Sequence, residues 1–249
     1  MCRHIAYVGE PVALADLLLT PENALLSQSW APRDMRGGGT VNADGFGIGW
    51  YTASSAEPAL LRRAVPMWTD SALPRLAAEV TSGAVLAAVR SATVGMPVVE
   101  TAAAPFAWDR WLFSHNGVVR GWPSSMTGLA STLPVETLLT LDAPTDAALV
   151  WALLRHRLAA GDKPADAMAS LVTAVEAAAP GSRLNLLLTD GTEIVGTTWT
   201  HSLWVGERGS SVVVASEPYD DDPSWREVPD RHLVVADRST VDIYPIGEE

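Results

Sequence analysis

The chain has 249 residues, 48% of them apolar, with 17 basic against 29 acidic side chains and a formal net charge of −12. That length and apolar content suffice for one compact unit spanning residues 1–249, while the acidic balance, without a clustered basic face, argues against phosphate-backbone binding, so no nucleic acid is expected as a partner. No run approaches the roughly 20 apolar residues of a membrane span, the N-terminus lacks the layout of a secretory signal, and the single cysteine, Cys2, excludes an internal disulfide; a soluble chain of the cytoplasm, with no membrane partner, is the expectation.

Residues 2–8 read as a strand, and residues 11–19 as a helix with Pro11 near its start, where the missing amide hydrogen costs nothing. Residues 30–44 are loop-like, with Pro32, the run Gly37-Gly38-Gly39 and then Asn42-Ala43-Asp44. Residues 45–51 form a strand whose alternating Gly45, Gly47 and Gly49 leave one face bare, which predicts close approach of another layer or of a ligand. The spacing is not that of a dinucleotide-binding loop, and no helix follows. Residues 59–65 suggest another strand, and residues 70–80 a helix capped by Thr69 or Asp70. Residues 84–90 are an apolar strand ending in a lone arginine, Arg90, a candidate site residue. A strand over 108–115 runs into Asn116-Gly117, a hairpin-turn signal, with Val118 and Val119 beginning the return strand.

Thr145 or Asp146 can cap a helix over 146–159, whose Leu149, Val150, Leu153, Leu154 and Leu158 share helical spacing. A second helix over 165–179 stops at Pro180-Gly181. Strands follow at 183–189, 193–200, 202–205, 211–216, 232–236 and 241–245, the first two joined by an Asp190-Gly191 turn, and the acidic run Asp220-Asp221-Asp222 lies in a loop. Strands, then helices, then strands predict an α+β domain in which two sheets are sandwiched between helical layers.

The five histidines, His4, His115, His156, His201 and His232, show no ligand spacing, so no metal site is expected, and no nucleophile-elbow motif supports a serine triad. Cys2 is the remaining nucleophile. Loss of Met1 would place its thiol beside its own α-amine, which titrates near ~7.7 to 8.0 and is therefore partly neutral at physiological pH. Alone, a second-position cysteine reads more readily as a thiol tucked into a first strand.

Four segments change that balance: Met1-Cys2-Arg3-His4, Asn42-Ala43-Asp44-Gly45-Phe46-Gly47, Arg90-Ser91-Ala92-Thr93 and His115-Asn116-Gly117, followed by Thr145-Asp146 and, late in the chain, Ala215-Ser216-Glu217-Pro218. In that order they resemble the class II glutamine amidotransferase domains of the N-terminal-nucleophile hydrolase fold, a four-layer αββα sandwich. The resemblance implies a cofactor-free amidohydrolase acting on a small γ-glutamyl molecule. Cys2 would be the nucleophile, Asn116 and Gly117 the oxyanion donors, Arg90 the partner of the substrate α-carboxylate with help from Thr93, and Asp146 the partner of its α-ammonium. Val94 stands where many members have histidine. The segment from Ser216 to Trp225 resembles a free-standing branch of ergothioneine biosynthesis whose substrate carries a trimethylammonium group, and Trp30 and Trp225 are the expected contacts to that cation. A glutaminase feeding a separate synthase, and a scaffold that keeps the fold without catalysis, are the alternatives; self-association into a homo-oligomer is left open.

Overall fold

The structure, a computed structural model, describes residues 2–34, 36 and 41–247. The start of the chain supplies four strands of one sheet, β1 (Arg3–Ala13), β2 (Phe46–Thr52), β3 (Ser55–Arg63) and β4 (Thr81–Val89). A second sheet takes β5 (Phe106–Trp108), β6 (Trp111–Val118), β7 (Arg183–Thr189) and β8 (Ile194–Thr197), after which β9 (Trp204–Glu207), β10 (Val212–Ala215) and β11 (Trp225–Glu227) return to the first, and β12 (His232–Ala236) and β13 (Val241–Pro245) finish the second. The orders are β11-β9-β10-β1-β4-β2-β3 and β13-β12-β8-β7-β6-β5, every pairing antiparallel. Helices α1 (Leu14–Leu18), α2 (Leu25–Gln28) and α3 (Leu73–Glu79) pack on the seven-stranded sheet, and α4 (Thr127–Ala130), α5 (Val135–Leu139), α6 (Asp146–Ala159) and α7 (Pro164–Ala178) belong to the side of the six-stranded one.

Strand alternation sorts the apolar residues into three layers. Along β4, Val85, Ala87 and Val89 meet α1 and α3, whereas Ala84 and Leu86 turn inward. Small and medium aliphatics fill the space between the sheets: Ala6, Val8 and Val214 from one side, and Leu112, Leu187 and Val234 from the other. Residues 113, 151, 171 and 188 build the outer core under α6 and α7, where Phe113 stacks on Trp151 with centroids 5.2 Å apart. The expected αββα layering is therefore present.

Four local readings change. The first strand runs through Pro11 to Ala13 and only a short α1 follows, because a register shift between Val8 and Val12 places proline where the ladder is interrupted. Asp70 caps one turn early: its Oδ1 accepts from Ala72 N–H and Leu73 N–H at 2.9 and 3.1 Å, ahead of α3. Asn116 and Gly117 do not turn the chain. They lie inside β6 opposite Asn185 and Leu184, and the tight connection comes earlier, at Asp109 with φ 51°, so 118–119 start no return strand. Trp225, expected in a loop, opens the short β11.

Other expectations hold. Thr145 caps α6, accepting from Ala148 N–H at 3.2 Å, and β7, β12 and β13 have the predicted bounds. The bare face of β2 does allow close approach: a Cβ at Gly47 would collide with the Ala104 carbonyl, and one at Gly49 would lie 2.5 Å from Leu112. Gly37, Gly38, Gly39 and Met1 lie outside the described residues.

Candidate active site

Cys2 immediately precedes β1, the strand between β10 and β4. Because both neighbours are antiparallel, their C-terminal ends arrive beside it: Arg3 pairs with Val89, and Ile5 with Ala215. Arg90 thus leaves β4 on one side of the thiol, and Ser216 and Glu217 leave β10 on the other. The Cys2 thiol is half-buried and its Sγ donates to the Ser91 carbonyl at 3.8 Å.

A cleft brings Cys2 together with Arg90, Thr93, Gly117 and Asp146, along with Met96 and Phe106. Arg90 is held by a backbone clip, its N–H donating to Gly45 O at 2.8 Å and its carbonyl accepting from Asp44 N–H at 2.9 Å. The Asp44 carboxylate closes the clip by accepting from Ala92 N–H at 2.8 Å. Gly45 is required here, with φ at +133° and the Arg63 carbonyl oxygen 2.8 Å from where a Cβ would stand. The Arg90 Nη1 donates to Pro97 O at 2.9 Å, leaving the rest of the guanidinium fork for a ligand. Asp146 begins α6 buried; its oxygens accept from Val119 N–H at 2.9 Å and from Ala147 N–H at 2.8 Å, and an ionised carboxylate keeps further lone pairs for a cation.

Strand pairing decides where the Gly117 N–H points. Its partner Leu184 donates its N–H to Trp199 O at 3.2 Å and accepts from Thr197 Oγ1 at 2.7 Å, so both Leu184 backbone groups face away from β6. Gly117 is then in a wide pair, with its own N–H turned to the other edge of β6. That edge is uncovered, because β5 stops pairing at Phe113. Glycine is needed for a second reason: a Cβ would collide with the Arg183 carbonyl.

Asn116 points to the opposite face of β6, with Ser114, into a buried polar layer between the sheets. Its Nδ2 donates to Ser216 Oγ at 3.3 Å, and its Oδ1 has no hydrogen-bond partner among the described residues. Ser114 Oγ meets His4 Nδ1 at 3.1 Å. Burial first, then charge interactions with His115, Arg3 and His201, push the His4 pKa from 6.5 down to about 3. His201 falls to about 3 as well, through burial and then Arg183, Arg3 and His115. Both imidazoles are neutral at pH 7.

Arg3 anchors the residue next to the nucleophile. Its Nε pairs with Glu217 Oε1 at 2.7 Å with both side chains 2% exposed, its Nη1 donates to Cys2 O at 3.0 Å and its Nη2 to Asp34 O. Glu217 Oε2 also accepts from Arg33 N–H at 2.8 Å.

The two predicted tryptophans stand apart from the cleft. Trp30 is 44% exposed and packs edge-on against Trp68, 5.7 Å between centroids. Trp225 lines an open hollow of about 400 Å3 with Trp204, Glu217, Asp221 and Asp222, beyond the ends of β10 and β9 and so on the far side of β1 from Arg90. One face of the Trp225 ring carries Arg208, whose guanidinium lies 5.4 Å from the centroid, and its Nε1 donates to Asp220 at 2.8 Å. Ser216, Asp44 and Glu217 stand inside the sequence motifs, which assign them no role, and Ser91 acts through its carbonyl, for which no side-chain signal exists.

The sequence profile of the class-II glutamine amidotransferases matches residues 20–209. The gamma-glutamyl-hercynylcysteine sulfoxide hydrolase of Mycolicibacterium smegmatis is 41% identical over 246 residues, 99% of this chain and 100% of that protein. The protein of the same name from Mycobacterium tuberculosis strain H37Rv is 40% identical over 235 residues, 94% of this chain and 92% of that one. Among solved structures, a glutamine aminotransferase class-II domain protein from Silicibacter pomeroyi superposes with TM-score 0.71 and 23% identity over 99% of this chain and 100% of that one, a likeness of fold. Among the described residues, no helix is long and apolar enough to cross a membrane.

Proposed function

The chain belongs to the class-II glutamine amidotransferases, and from that premise we propose that it is a cytoplasmic cysteine amidohydrolase, one domain over 1–249 starting at Cys2 once Met1 is removed, that releases glutamate from γ-glutamyl-hercynylcysteine sulfoxide in ergothioneine biosynthesis. The observation that carries the reading is one cleft in which Cys2, Gly117, Arg90 and Asp146 meet, supported by full-length similarity to hydrolases of that name.

The guanidinium of Arg90 and the carboxylate of Asp146 take the α-carboxylate and α-ammonium, a pair that selects glutamyl groups and leaves the γ-carbonyl at the thiol. The Cys2 α-amine accepts the thiol proton as sulfur attacks the carbonyl carbon, and the carbonyl π pair moves to oxygen. Asn116 Nδ2–H and Gly117 N–H stabilise that oxyanion; one such donor is typically worth about 2.7–4 kcal/mol in the transition state. Collapse breaks the C–N bond, the ammonium of Cys2 returns the proton to the departing amine, and water, deprotonated by the same amine, hydrolyses the thioester.

The acidic, tryptophan-lined hollow on the other side of β1 from Arg90 suits a cationic leaving group, with Asp221, Asp222 and Trp225 as its contacts. Free glutamine has nothing to fill it, so the sulfoxide conjugate is the better substrate in this reading. Purified protein incubated with the conjugate is expected to liberate glutamate, and Cys2→Ala to liberate none. Undiminished release by that variant, or equal turnover of free glutamine, would overturn respectively the mechanism and the substrate.

A further inference from the structure

We infer that Ser216 is a positioning residue of the oxyanion hole, fixing the terminal torsion of the Asn116 amide so that its second N–H stays aimed at the developing charge. The inference rests on the reading of Asn116 as an oxyanion donor.

Ser216 follows β10 and is 1% exposed. Its backbone is held on two sides, with N–H donating to His4 O at 2.9 Å and carbonyl accepting from Ser202 Oγ at 2.9 Å. Its hydroxyl oxygen does something else: it accepts from His4 N–H at 3.0 Å and from Asn116 Nδ2 at 3.3 Å. One atom therefore joins the strand that carries Cys2, two residues from the nucleophile, to Asn116 in the opposite sheet.

The amide of asparagine has two faces that differ in sign. Its nitrogen carries two hydrogens; Ser216 takes one, leaving the second as a donor. The oxygen side has no partner among the described residues, so among them the Ser216 hydroxyl is the one group that fixes the torsion of the amide. Without that tie the terminal torsion, which is broad, lets the amide swing its donor away from the place where the oxyanion forms. The transition state would lose that attraction while the ground state, in which little charge has developed, would be barely touched. The hydroxyl of Ser216 is thus expected to act on kcat through Asn116 without contacting substrate.

The test compares Ser216→Ala, Ser216→Thr, Asn116→Ala and the double variant Asn116→Ala/Ser216→Ala, with glutamate release as the assay and circular-dichroism melting as the check on folding. Removal of one oxyanion donor typically costs about 10²–10³ in kcat, so Ser216→Ala is expected to lose about 10- to 100-fold in kcat with KM within about threefold, and Ser216→Thr to recover most of the loss. The double variant is expected to be no slower than Asn116→Ala. A second readout uses the γ-aldehyde of glutamate, whose carbonyl adds the thiol to give a tetrahedral oxyanion adduct: its inhibition should weaken in Ser216→Ala by the same factor as kcat, while inhibition by glutamate itself stays unchanged. Wild-type kcat and aldehyde affinity in Ser216→Ala, with both lost in Asn116→Ala, would overturn the role of Ser216 alone, as would an additive double variant. Full activity in Asn116→Ala would remove the oxyanion reading and this inference with it.

Discussion

Replacing His4 by glutamine should change the slope of stability against pH more than stability itself. His4 is 1% exposed, with its Nδ1 on Ser114 and its pKa held at about 3 by burial and by charge interactions with His115, Arg3 and His201. In the unfolded chain the ring returns to its ordinary value of 6.5. Between those values the folded protein binds fewer protons than the unfolded one, so this contribution is complete above about pH 6.5 and is lost as the pH falls toward 3. The slope approaches at most about 1.4 kcal/mol per pH unit, which integrates to roughly 2–3 kcal/mol between pH 7 and pH 4.5, and His201, lowered in the same direction, adds to it. Against a typical total of about 5–15 kcal/mol, that is a substantial share of the stability lost on acidification. Urea unfolding at 25 °C, measured at intervals from pH 7 to 4.5, gives the slope directly. Carboxylates titrate in both proteins and cancel in the difference, so wild type minus His4→Gln should fall by about 2–3 kcal/mol over that range. Parallel curves would mean that His4 does not enter the folded state uncharged.

Two further changes test the anchors of the site. Glu217→Gln leaves the Arg3 guanidinium buried without its counter-charge; a loss of about 3–5 kcal/mol is expected, a fall of roughly 10 °C in thermal midpoint, and an unchanged midpoint would show that the pair is not needed. Arg90→Ala should raise KM for every γ-glutamyl substrate by roughly 10- to 100-fold, the value of a charge-assisted hydrogen bond or two, and unchanged kcat/KM would displace the α-carboxylate from this side of Cys2.

The layers were legible because apolar alternation and helical spacing each answer to one local rule. Helix α6 obeys both its cap and its spacing, and its predicted bounds hold. Pro11 misled because proline suits a helix start and an interrupted edge equally, and only the partner strand decides between them. Asn116-Gly117 misled more instructively: a turn and a crowded strand both select glycine, one for positive φ and the other for want of space, and the Arg183 carbonyl that crowds Gly117 lies 66 residues away in sequence. Family motifs marked the segments of the cleft, but not the ties between them. Ser91 works through its backbone, and the partner of the Asn116 amide lies 100 residues on.

That distance has a kinetic meaning. Arg3 closes on Glu217 across 214 residues, and His4 on Ser216 across 212, so residues that follow β10, late in the chain, complete the surroundings of a residue made at the start. Contacts of such sequence separation form slowly and late. Turnover during refolding should therefore lag behind the return of helical signal, and the onset of activity becomes a clock for the final closure of the sheet around the nucleophile.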